Sequence, residues 1–167
     1  MVIATIVMIC VLLVAAYFWH EGKKPAVHRN VPQMDLERYV ITLLHQGLDR
    51  GFMIIKVPGS VAGVQLSKHI EGNGVVNLQL DFPLAPWSER YYAILKKEMS
   101  DAGMPFNIVK TSEQVVKEFT QIRFGKDAAK ATEIIRLILR NVFEVNDSPI
   151  QVHFENVSPK VGEKVGF

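Results

Sequence analysis

The sequence predicts an α+β fold carried on an N-terminal transmembrane helix. Three observations predict it. Residues 1–19, MVIATIVMICVLLVAAYFW, hold no charged side chain and are followed by HEGKK. Three later segments repeat apolar residues at helical spacing. Between them run short stretches that alternate apolar and polar residues, two of them joined through Asn73-Gly74, the strongest short hairpin signal. The expected order is the anchor, then α-β-β-β-α-β-β-α-β, giving a mainly antiparallel sheet with three helices packed on it.

Val2 to Trp19 is eighteen residues. At about 1.5 Å per residue a helix of that length spans roughly 27 Å, close to the hydrocarbon core of about 30 Å. Tyr17 and Trp19 stand at its downstream end, where amphipathic rings favour the headgroup level. Lys23 and Lys24 follow and suit anionic headgroups. A cleaved signal peptide is the rival reading, with Val14-Ala15-Ala16 as small residues, but no basic side chain precedes the apolar run. Positive charge on the C-terminal side alone orients the anchor with its amino terminus outside and the domain in the cytoplasm. Residues 20–33, HEGKKPAVHRNVPQ, read as a basic juxtamembrane linker, residues 34–157 as one α+β domain, and residues 158–167 as a disordered tail.

Within the domain, Asp35 is placed to cap a helix running to about Arg50, with Leu36, Val40, Leu43, Leu44 and Leu48 as its stripe and Gly51 as its stop. Phe52 to Val57 is a β-rich run ended by Pro58-Gly59. Val64 to Ile70 and Val75 to Phe82 flank the Glu71-Gly72-Asn73-Gly74 turn. In the second of these, Val76, Leu78, Leu80 and Phe82 share one face, and Asn77, Gln79 and Asp81 the other. Ser88 is placed to cap a second helix to about Ala102, with Tyr92, Leu95 and Met99 buried and Trp87 stapled against Tyr92. Phe106 to Lys110 and Val115 to Phe124 read as strands, although Val115, Phe119 and Ile122 in the latter also fit helical spacing. Asp127 is placed to cap the last helix, with Ala128, Ala131, Ile135, Ile138, Val142 and Val145 on one face, widened by Ile134 and Leu139. Ile150, Val152 and Phe154 alternate in a final strand.

Charge and cysteine usage narrow the function classes. The formal charge of +2 resides in the flanks: residues 20–33 carry +2, residues 158–167 carry +1, and residues 34–157 sum to −1. A near-neutral domain lacks the basic footprint of a nucleic-acid binder. Cys10 is the sole cysteine and lies in the anchor, so the domain has neither a disulfide nor a thiolate metal site.

Chemistry-bearing motifs are sparse. His45, His69 and His153 share no ligand spacing, and no glycine pattern matches a phosphate loop. Asp81, at a strand end, and Glu89, in the first turn of the second helix, are the carboxylates nearest to a general acid/base pair; solvated charges are the plainer reading. No catalytic residue, cofactor or metal ligand is assigned. Trp87 and Tyr91, beside Pro83 and Pro86, form a candidate partner-binding patch, with Tyr91 off the buried stripe.

The core order α-β-β-β-α-β-β-α over roughly residues 34–145, ending in Ile134–Val145, resembles the type III secretion chaperone-like fold and its YbjN-like relatives. The resemblance is one of topology and implies a binding module, commonly dimeric, without a catalytic centre. The expectation is therefore a membrane-anchored, non-enzymatic cytoplasmic module that meets the membrane through residues 1–24 and binds a protein partner or a second copy of itself. The alternative is a small-molecule binder or enzyme with a pocket near residues 81–92.

Overall fold

Alternating apolar side chains build one dry sheet face, and that face decides the architecture. The computed structural model describes residues 26–112 and 115–158. The anchor expected over residues 1–19, with Tyr17, Trp19, Lys23 and Lys24, lies outside the described residues, as does the tail beyond residue 158. Among the described residues no helix is long and apolar enough to cross a membrane. The elements are β1 (Ala26–Val31), a 3-10 turn (Gln33–Asp35), α1 (Leu36–Gln46), β2 (Gly47–Lys56), β3 (Gly63–Ile70), β4 (Val76–Leu84), α2 (Glu89–Asp101), β5 (Asn107–Lys110), β6 (Glu118–Gly125), α3 (Ala128–Leu137) continuing into a π turn (Ile138–Val142), and β7 (Ile150–Val157). The seven strands form one antiparallel sheet in the order β1-β7-β2-β3-β4-β6-β5.

One face of this sheet presents Met53, Ile55, Val64, Leu66, Leu78, Leu80, Phe82, Ile122, Ile150 and Val152, all buried. The helices cover it. α1 lies over β2, β3 and β7, α2 over β4, and α3 over β4 and β6. Their stripes, Leu36, Val40 and Leu43, then Leu95 and Met99, then Ala131, Ile134 and Ile135, are 0% exposed. A hydrophobic face must bury itself against another layer, and three amphipathic helices suffice here. The opposite face carries Gln65, Ser67, His69, Asn77, Gln79 and Asp81, and no helix among the described residues crosses it.

The mixed fold and the strand-helix order follow the sequence reading, with local differences that have physical causes. Residues 26–31, expected as linker, form a strand that pairs with β7, Ala26 opposite Phe154 and His28 opposite Val152. Pro25 and Pro32 bracket it and signal loop in sequence, yet the edge strand lies between them and needs neither nitrogen. The first helix ends at Gln46 rather than Arg50. A Cβ at Gly47 would lie 2.5 Å from the Leu43 carbonyl oxygen, so the chain leaves the helix at Gly47, and Leu48 is exposed rather than part of the stripe. Asp35 makes no side-chain cap.

Ser88 is also no side-chain cap. Its hydroxyl donates to the Pro83 carbonyl at 2.5 Å and accepts from the Ala85 N–H at 2.9 Å, closing the Pro83–Pro86 turn, while its carbonyl accepts from Tyr91 and Tyr92. Asp127 does cap α3, accepting from the Lys130 N–H at 2.8 Å. The ambiguous segment is strand from Glu118 onward. The last helix widens into the π turn, where the Phe143 N–H donates to the Ile138 carbonyl. That extra residue per turn turns Phe143 inward, onto Phe82 and Tyr91.

Candidate functional site

The hairpin turn sets the register from which the site is built. Glu71 and Val75 bracket the turn, Gly74 adopts φ +79°, and Asn73 Oδ1 accepts from the Val75 N–H at 3.0 Å. Ile70 therefore faces Val76, and counting back along both strands places Gln65 opposite Asp81 and Ser67 opposite Gln79. On its other side β4 sets Asp81 against Gln121 and Gln79 against Arg123. β2 adds Ile54 opposite Gln65, and β5 adds Asn107 opposite Gln121. The outcome is a row, Ile54–Gln65–Asp81–Gln121–Asn107, across five strands of the uncovered face. Such cross-strand neighbours lie about 5 Å apart at Cβ, close enough to act together.

This row crosses a trough of about 600 Å3, within the range of small-ligand pockets of about 300–1,000 Å3. Gln65, His69, Gln79, Asp81 and Gln121 line it, with Ile54, Val61, Pro83, Trp87 and Phe119 as its apolar walls and Lys56 at its rim. Gly63 also lines it, where a Cβ would lie 2.8 Å from the Ile55 carbonyl oxygen. Val61, in the loop between β2 and β3, is 77% exposed.

Asp81 is the electrostatic centre. Gln79 Nε2 donates to its carboxylate at 2.9 Å, and Gln121 stands opposite it across the strand pair. Burial nevertheless holds the Asp81 carboxyl above its ordinary pKa; its polar neighbours Gln79, Gln121 and Ser67 and the nearby His69 imidazole oppose the shift without cancelling it. Gln65 Nε2 donates to Ser67 Oγ at 3.3 Å. One N–H of Gln79 thus faces the acid and one of Gln65 the serine, and each amide keeps its carbonyl oxygen and a second N–H for other partners. His69 Nε2 is buried and has no hydrogen-bond partner among the described residues. Among those residues no group of three His, Cys, Asp or Glu is gathered as a metal site would require.

The structure separates the residues singled out in sequence. Trp87 lines the trough and rests on Phe82, ring centroids 5.9 Å apart; Phe82 stands between it and Tyr92. Tyr91 is 9% exposed, edge-on to Phe143 at 5.0 Å with Arg90 stacked over its ring at 4.3 Å. It is buried because the π turn carries Phe143 into reach, so it forms no surface patch with Trp87. Asp81 shares the trough with His69 and not with Glu89, which is exposed in the first turn of α2. His45 is exposed at the end of α1 and His153 lies in β7.

Gln65, Gln79, Gln121 and Phe119 were not singled out as functional in the sequence. Each is ordinary alone, and the signal lies in their register. Had the Asn-Gly turn been used to pair the strands, Gln65 would already have stood beside Asp81. Comparisons with family models, curated proteins and solved structures find no match to this chain.

Proposed function

We propose that this chain is a membrane-tethered binding module that captures a small organic ligand in the trough on the open face of its sheet. One observation carries the reading: a half-buried carboxylate sits at the centre of a ladder of amides, inside a concavity walled by Trp87, Phe119, Pro83 and Ile54. Apolar walls with a few convergent polar groups and a perturbed acid are the features of a ligand pocket. The apolar run of residues 1–19 supplies the tether, with Tyr17 and Trp19 at the interface and Lys23 and Lys24 against anionic headgroups. The charge asymmetry around that run supports a cytoplasmic domain.

The test is a thermal shift of the full chain in detergent micelles across a panel of small metabolites. A ligand that raises the melting temperature by several degrees, with the rise lost on Gln121→Ala, supports the proposal. A panel without any such compound overturns it.

A second reading has its own support. The elements from α1 to α3 run α-β-β-β-α-β-β-α, the order on which the resemblance to the secretion chaperone-like fold is drawn, and that resemblance supports a protein-binding or chaperone-like role, as a dimer or with a partner. Co-purification of a stoichiometric protein with the full chain from native membranes, lost on Trp87→Ala, would favour it.

A further inference from the structure

The geometry points to the class of ligand: a primary ammonium joined by a short spacer to a flat apolar group, an arylalkylammonium, with its nitrogen at Asp81 and its ring between Trp87 and Phe119. The inference rests on the trough being a binding site and deepens that reading.

The charged centre of the trough, the Asp81 carboxylate, is an acceptor. Gln79 directs one N–H group at it, and Gln65 directs one at Ser67. The outer lone pairs of that carboxylate, with the amide carbonyl oxygens of its neighbours, are what the trough offers a donor. An ammonium is a compact cation with three donors and no acceptor, which matches that set. His69 Nε2, buried and unpartnered, is a further acceptor when its proton is on Nδ1. The charges around Asp81 do not preclude a cation. His69 is the imidazole close enough to favour the ionised carboxylate, Lys56 lines the trough from β2, and Arg123 is exposed beside Gln79. An anion placed at the floor would meet the Asp81 carboxylate directly.

The spacer length comes from the sheet. Pro83 pairs with Phe119 one row along from the Asp81–Gln121 pair. Two residues of strand separate the rows, about 7 Å, which a ring and a two-carbon spacer bridge. Trp87 and Phe119 line the trough, and an aromatic ring face attracts a cation within about 6 Å. A bound ammonium would also relieve Asp81, whose ionised form burial disfavours.

The chain has two tryptophans, Trp19 and Trp87. In full-length protein carrying Trp19→Phe, in detergent micelles at pH 7, Trp87 fluorescence reports on the trough. Phenethylammonium, 2-phenylethanol and 3-phenylpropionate are titrated in turn. Phenethylammonium is expected to bind at least about tenfold more tightly than the alcohol, the difference between a charge-assisted and a neutral hydrogen bond, and the carboxylate weakest. Asp81→Asn should erase that preference, whereas Glu89→Gln, outside the trough, should keep it; circular dichroism verifies that both fold. If the alcohol or the carboxylate binds as tightly as the amine, the ammonium assignment is overturned while the trough remains a ligand site. If none of the three perturbs Trp87, both are overturned.

Discussion

Burial penalises the ionised form of Asp81, so the charge at the centre of the trough costs the fold stability. Its carboxyl has a pKa above the ordinary 3.8 because burial penalises the charged form. Between 3.8 and the raised value the folded chain binds more protons than the unfolded one, so stability falls as pH rises through that window and stays lower above it. Asp81→Asn removes the charge and keeps an oxygen to accept from Gln79. We expect it to raise the melting temperature by roughly 2 °C at pH 7, on the scale where about 1 kcal/mol moves a domain of this size by roughly 2–4 °C, and to change little at pH 3. Equal shifts at both pH values would contradict the assignment. Lys68 is the other misfit: it lies on the helix-covered face, 6% exposed, its Nζ donating to the Gly47 carbonyl at 2.7 Å. There it neutralises part of the negative end of α1, and burial lowers its pKa.

At the scale of elements, two glycines and one cap decide where the chain turns. Gly47→Ala places a Cβ 2.5 Å from the Leu43 carbonyl oxygen, and we expect a loss of roughly 1–3 kcal/mol in chemical denaturation, the range of forced overpacking. Gly74→Ala meets nothing within 4 Å but keeps φ +79°, so its loss should be smaller, about 1 kcal/mol. Asp127→Ala removes the bond to the Lys130 N–H and should cost about 1 kcal/mol. A ranking with Gly74→Ala the most damaging would show that the end of α1 is misread. Elements were legible where local chemistry and tertiary packing agree. Val76 to Phe82 alternates without exception, and its Leu78, Leu80 and Phe82 are buried under the helices. β1 was illegible because two prolines and two basic residues flank or interrupt it, and its pairing with β7 joins residues more than a hundred positions apart. The helix end was misplaced because Leu48 fits the stripe by spacing, while the close approach at Gly47 exists only in three dimensions. The same holds for Tyr91, whose burial depends on a π turn that no propensity announces.

For the whole molecule, layering explains both core and site. Three helices cover one sheet face, so the other carries the polar half of the alternating strands, and three strands must be in register before Gln65, Gln79, Asp81 and Gln121 become neighbours. The sequence showed the face but not the convergence. The tether is a claim of the same scale. Protease added to right-side-out vesicles should leave the domain intact, and its digestion there would reverse the proposed orientation. The most direct test of the central claim, that the uncovered sheet face is the binding face, is side-chain amide NMR of the full chain in micelles, titrated with a small-fragment library. Fragments that bind are expected to shift the side-chain amides of Gln65, Gln79 and Gln121 and the Trp87 indole N–H, leaving Gln33 and Gln46 unmoved. Binding that shifts Gln33 or Gln46 while the trough residues stay still would contradict it.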